Sequence, residues 1–149
     1  MNTIKTGISP LLFAALLLLI AGCATDPVPS AERRPVVPDR IFAPGLLTPS
    51  DTRTARFVFV RDRGSAGVLA GIDVFIDGQK IARLGATEAV TVFATPGKHV
   101  LAARFSWGPI GPAEREFVAD PQKPLTVRVF TQGNASSLDL RPETGYSYQ

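Results

Sequence analysis

The most reactive group in this 149-residue chain is a lone thiol, and its neighbours indicate what it would react with. Cys23 is the only cysteine and follows Ile20-Ala21-Gly22. Ala21 and Gly22 are small enough to enter a protease subsite. A thiol directly behind them can accept a diacylglyceryl group as a thioether. Cleavage between Gly22 and Cys23 would expose a new amine on Cys23, open to acylation by a fatty acid such as palmitate. Upstream, residues 11–21 are an unbroken apolar run, preceded by polar residues and one charge, Lys5. A helix needs about 20 apolar residues to cross the hydrocarbon core. This run is too short, and its small-residue end suits cleavage instead. No second cysteine exists to form a disulfide, which an oxidising compartment would otherwise favour.

The run Ile20-Ala21-Gly22-Cys23 resembles the lipobox of bacterial lipoproteins. The resemblance implies a signal peptide over residues 1–22 and a mature N-terminus at a lipidated Cys23. Each buried methylene contributes about 0.8 kcal/mol, and one acyl chain alone anchors only marginally. Two or three chains on Cys23 would hold the protein on one leaflet without spanning it. Ala24 follows the cysteine. In Gram-negative lipoproteins an aspartate there commonly retains the protein in the inner membrane. By that resemblance this chain is expected at the outer membrane, with its folded part in the periplasm.

Catalysis needs a nucleophile with a base, or a metal. The only histidine is His99, and a zinc-type site has no second His or Cys to complete it. The chain has no G-x-S-x-G, P-loop or H-E-x-x-H motif. Gly64-Ser65-Ala66-Gly67 lacks the Lys-Ser/Thr of a phosphate cradle. Asp73 and Asp77 share a strand face by period 2 and could hold a cation, although a turn already accounts for Asp77. Glu114 and Glu116 flank Arg115 and read as a solvated strand face. Trp107 stands in the Gly-Pro loop Trp107-Gly108-Pro109-Ile110-Gly111-Pro112. It either stacks on a sugar ring or a partner, or folds back to close one end of the domain.

The formal net charge is +3. Loss of Lys5 with the signal leaves fifteen cations against thirteen acids, or +2. That is too slight for nucleic-acid binding. Arg33, Arg34, Arg53, Arg56, Arg61 and Arg63 read as solubilising charges on a linker and on strand edges, with anionic lipid or glycan as the alternative contact.

The elements that would position these groups begin after a proline-rich stretch. Residues 23–52 carry Pro27, Pro29, Pro35, Pro38, Pro44 and Pro49. Proline fixes φ and removes a donor, so this stretch is expected as a semi-rigid tether. Fully extended it would reach roughly 90 Å. Within it Ile41, Phe42 and Leu46 are too apolar for a solvated spacer. The segment 41–47 therefore packs along the domain edge or presents a motif that a partner captures.

Residues 53–141 are expected to form one small all-β domain, with residues 142–149 as a flexible tail. Strands are expected at 56–61, 72–76, 79–84, 88–94, 98–106, 114–119, 125–131 and 137–140, with no helical period anywhere. The 56–61 strand is apolar on both faces, which suits a central position. Asp77-Gly78 between two β-like runs is a hairpin signal, because a type I′ turn needs positive φ at both central residues. Six to eight short strands suggest a small antiparallel β-sandwich.

Val74-Phe75-Ile76-Asp77-Gly78-Gln79-Lys80-Ile81 and Thr95-Pro96-Gly97-Lys98-His99 resemble the hairpin and turn of PEGA-type β domains. They resemble still more a group of small β-sandwich lipoproteins of unassigned function. The resemblance covers about residues 55–105 and implies that these residues shape turns. The expectation is a non-enzymatic lipoprotein without a cofactor beyond the diacylglycerol and N-acyl lipid on Cys23. It would bind or scaffold another envelope component, a protein partner foremost, with Trp107, Ile41, Phe42 and Leu46 as candidate contacts. Peptidoglycan binding is the alternative.

Overall fold

Period-2 alternation of apolar residues builds two facing sheets. A computed structural model describes residues 25–64, 70–108, 110–132 and 137–143. The strands are β1 (Arg34–Pro35), β2 (Ala55–Arg61), β3 (Ile72–Ile76), β4 (Gln79–Leu84), β5 (Glu88–Ala94), β6 (Gly97–Phe105), β7 (Ala113–Ala119), β8 (Leu125–Gln132) and β9 (Ser137–Pro142). One sheet has the order β1-β5-β2-β8-β9 and the other β4-β3-β6-β7. The fold is all-β and sandwich-like, as the strand pattern requires. β4 meets β5 along one side and β7 meets β9 along the other. Arg115 on β7 reaches Asp139 on β9 at 2.7 Å and ties the sheets together there.

The expectation of an antiparallel sandwich needs correction. β2 pairs with β8 in parallel, Phe57 opposite Leu125 and Phe59 opposite Val127, and β1 pairs with β5 in parallel. The five-stranded sheet is therefore mixed. A hairpin forces antiparallel pairing, but β2 and β8 are joined through most of the domain, and alternation carries no sign of strand direction. β2 is central, as its two apolar faces demand. Phe57 and Phe59 fill the core, while Val60 on the opposite face is also buried.

The β3–β4 hairpin closes on Asp77 at φ 49° and Gly78 at φ 78°, the two positive values of a type I′ turn. Strand ends then define two poles. Arg61, Gln132, Ser137 and Glu88 lie at one pole of the five-stranded sheet. Ile72, Leu84, Phe105 and Ala113 lie at the corresponding pole of the other. Arg61 proves that the two coincide. Its Nη1 donates to the Ala70 carbonyl at 2.6 Å and to the Leu84 carbonyl at 3.1 Å. The 77–78 turn, the 95–97 turn and the start of β2 occupy the opposite pole.

Arg61 is thus not the solvated strand-end charge expected from sequence. It is buried. Burial pushes its guanidinium pKa down and the nearby Glu88 carboxylate pushes it up, with a net lowering.

The proline-rich stretch differs most from expectation. Residues 25–52 are not a free spacer; they wrap the sandwich as a strap. The Asp26 N–H donates to the Arg63 carbonyl at 2.7 Å, and Arg63 returns the bond at 3.0 Å. Arg33 pairs with Glu143, and β1 then adds to the edge of β5. Beyond it, Arg40 meets Glu88 at 2.6 Å. Ile41 bridges Ala82, and the Phe42 N–H donates to the Ile81 carbonyl at 2.8 Å. Val36 and Ala43 enter the central core, with Ile41, Leu46 and Leu47 packed against it. Val28 is also buried, outside that core. Proline limits regular strand here to the two residues of β1, but does not prevent packing. Three 3-10 turns, Ser30–Glu32, Pro38–Arg40 and Pro44–Leu46, satisfy the chain locally between apolar anchors. The strap also covers the exposed edge of β4, a device that blunts edge-to-edge pairing.

Candidate functional site

Gly22 and Cys23 lie outside the described residues, as do Ser65-Ala66-Gly67 and the tail residues Tyr146 and Tyr148. The remaining candidates can be placed.

His99 has the geometry of a base that is already occupied. The β6 alternation turns it inward with Leu101, Ala103 and Phe105, all of them buried. Its Nδ1 lies 2.6 Å from Asp77 Oδ2 and its Nε2 lies 2.8 Å from the Thr95 carbonyl. The ring packs edge-on to Phe57 at 6.1 Å. An Asp–His pair orients a general base when the second nitrogen faces a nucleophile. In this chain the second nitrogen faces the Thr95 backbone carbonyl and not a nucleophile. The pair instead locks two turns together. The Asp77 Oδ1 accepts from the Val100 N–H at 2.9 Å. Burial raises the Asp77 carboxyl, but the His99 and Val100 hydrogen bonds outweigh it and hold the group below the usual carboxylate range. A cavity of about 180 Å³ opens beside this pair, lined by Leu46, Arg53, Gln79 and Phe93 among others.

Asp73 and Asp77 do not form a cation site. Asp73 faces Lys80 Nζ at 2.8 Å and Arg83 Nε at 2.8 Å, so its charge is already matched. Burial works to raise its carboxyl, and the Arg83 and Lys80 hydrogen bonds lower it further than burial raises it. Among the described residues no group of three or more His, Cys, Asp or Glu side chains is placed to hold a metal. Glu116 pairs with Lys98 at 2.9 Å on an exposed strand face.

These carboxylates set the acid limb of stability. Asp73, Asp77 and Asp139 all have folded pKa values below the ordinary one. Their stabilisation is therefore complete above the ordinary carboxylate range and is lost as pH falls through the depressed values. Asp62 has the opposite sign. Burial raises its carboxyl despite the Arg128 pair, so its contribution weakens as pH rises. Asp73→Asn is expected to cost about 2 kcal/mol at pH 7, the worth of hydrogen bonds to a charged group. In urea titrations that difference should shrink as pH drops below about 4. A difference that stays constant across this range would remove the charge from the explanation.

The candidate strap residues divide. Ile41 and Leu46 are packed against the core, whereas Phe42 stands out, 47 % exposed beneath Lys80, whose Nζ lies 3.9 Å from the ring centroid. The packed-edge reading of 41–47 therefore describes Ile41 and Leu46, which pack against the core and stay partly exposed. Trp107 is 67 % exposed on the loop after β6 and does not fold back to close the sandwich.

Sequence reasoning missed the outer face of the four-stranded sheet. Val100 on β6 and Val118 on β7 are 42 % and 46 % exposed. Lys98 lies opposite Val118, and Val100 opposite Glu116. Phe75 on the same face carries Arg104 over its ring at 5.4 Å. The signal was present: Val100 is apolar at an outward position between inward His99 and Leu101. Comparisons with protein-family models, with curated proteins and with solved structures return no match to this chain.

Proposed function

We propose that this chain is a non-enzymatic lipoprotein, held by a lipidated Cys23 on the periplasmic leaflet of an outer membrane. Its β-sandwich, of a PEGA-like kind, binds a protein of the envelope. The observation that carries this reading is the outer face of the four-stranded sheet. Phe42, Val100 and Val118 stand exposed there among the Lys98–Glu116 and Asp73–Lys80 pairs. Apolar and aromatic groups ringed by charges are the usual make-up of a protein–protein contact. The locked His99–Asp77 pair supports a binding role over a catalytic one.

A photo-crosslinking residue at Val100, with one at Thr91 on the other sheet as control, tests this in cells. The expected result is one envelope protein joined through Val100 in near-stoichiometric yield and absent from the Thr91 sample. Equal or absent adducts at both positions would reject the surface. Peptidoglycan binding is the second reading, favoured by the exposed Trp107. Loss of peptidoglycan co-sedimentation on Trp107→Ala would support it.

A further inference from the structure

We infer that the pole of the sandwich carrying Trp107 lies against the lipid leaflet, with the indole seated among the headgroups. The inference rests on the reading of Cys23 as the lipidated residue.

The strap decides the geometry. With residues 25–52 folded onto the domain, the free chain between lipid and fold shrinks to the step from Cys23 to Thr25. Two extended residues span about 7 Å at most, against roughly 90 Å for an unfolded tether. The domain must then sit flush with the surface, on whichever face Thr25 occupies. Thr25 is fixed at the Arg61 pole. Its Oγ1 donates to the Thr131 carbonyl at 3.4 Å, and Asp26 bridges Arg63 just beyond β2. A Cβ at Gly64 would come within 2.7 Å of the Thr25 methyl, so the two segments are in close contact.

Trp107 is at the same pole. It follows Phe105, which pairs with Ile72, and the Ser106 N–H donates to the Gly71 carbonyl at 2.8 Å. Gly71 in turn adjoins Ala70, whose carbonyl takes the Arg61 guanidinium. The facing sheets of a sandwich are about 10 Å apart, so the indole and the anchor point share one end surface. Trp107 is also the most exposed large apolar side chain among the described residues. Tryptophan prefers the membrane–water interface, where its ring is buried and its N–H stays wet. Electrostatics adds little at this end, because the exposed Arg63 is paired with Glu32. A cell-wall glycan is a poorer occupant, since it lies off the membrane while this pole is held to it.

Trp107 is the chain's only tryptophan, so its fluorescence reports this site alone. The mature lipidated protein would be reconstituted into phosphatidylethanolamine–phosphatidylglycerol vesicles, with and without lipids brominated near the headgroup. The expected result is a blue-shifted emission that the brominated lipid quenches. In a Trp107→Phe/Lys123→Trp variant, which moves the reporter to the exposed 120–123 turn at the opposite pole, that quenching should be lost. Equal quenching of both reporters, or none of either while the protein floats with the vesicles, overturns the orientation and leaves the anchor intact. Emission that responds to soluble peptidoglycan fragments but not to brominated lipid also overturns it. Intact-mass measurement and flotation read the anchor separately. A mature protein without lipid on Cys23 that stays out of the vesicle fraction removes both readings.

Discussion

Deleting residues 25–52 is expected to unfold the domain rather than merely shorten a linker. Val28, Val36 and Ala43 are buried, and Ile41, Leu46 and Leu47 pack against the core. Fully burying a valine or leucine contributes about 1.5–3 kcal/mol, and removing the strap also bares the apolar surface beneath it. The loss is about 5 kcal/mol or more, against a total of roughly 5–15 kcal/mol for an ordinary domain. The deletion also frees the edges of β4 and β5, which invites association. Urea unfolding of residues 24–149 and 53–149, both without the lipid, checks this. The longer chain should show a cooperative transition and the shorter one none, or one at much lower urea. Coincident transitions would show that the strap is dispensable. A single Val36→Asp change should reproduce much of the loss, because it places an unpaired charge in the core.

Arg61→Ala carries the second large effect. The guanidinium spans the two sheets at one pole, from β2 to the carbonyls of Ala70 and Leu84. Removing it takes away the donor that these two carbonyls share, and a buried acceptor left unsatisfied costs about 1–3 kcal/mol. It also leaves Glu88 without its cationic neighbour on the core side. Glu88 still holds Arg40 of the strap and accepts from the Gly85 N–H at 2.7 Å. The expected loss is about 3 kcal/mol or more, read as a lower urea midpoint at unchanged m. Arg61→Lys should recover only part of it, because an ammonium is more strongly hydrated than a guanidinium and costs more to bury. A midpoint shift within about 0.5 kcal/mol, the usual range for a surface change, would mean that the charge is dispensable.

These two effects mark where sequence reading stopped. Phe57, Val74, Val92, Leu101 and Val127 announce their strands because alternation is a local property, set by the direction of successive Cβ atoms. The Asp77-Gly78 turn is equally local, since its positive φ values depend on those two residues alone. The strap was not legible. Its proline spacing matches that of a solvated linker, and what folds it is the complementary edge of β4 and β5, distant in sequence. Arg61 was misread for the same reason. A charge at a strand end looks solvated until the carbonyls of Leu84 in β4 and Ala70 just before β3 converge on it.

The candidate surfaces divide likewise. Trp107 was visible as an unusual residue in a breaker-rich loop, but not its exposure or its place at the same pole as Thr25. Val100 and Val118 were visible as apolar residues at outward positions, but not as one face.

The sequence by itself determined strands β2 to β9 and the hairpin turn, because each depends on contiguous residues and their intrinsic geometry. Only the tertiary structure decided the parallel β2–β8 pairing, the absorption of residues 25–52 into the fold and the pole shared by Thr25 and Trp107. Each of these depends on contacts between segments far apart in the chain, whose free energy comes from surfaces that exist only once the two sheets have met.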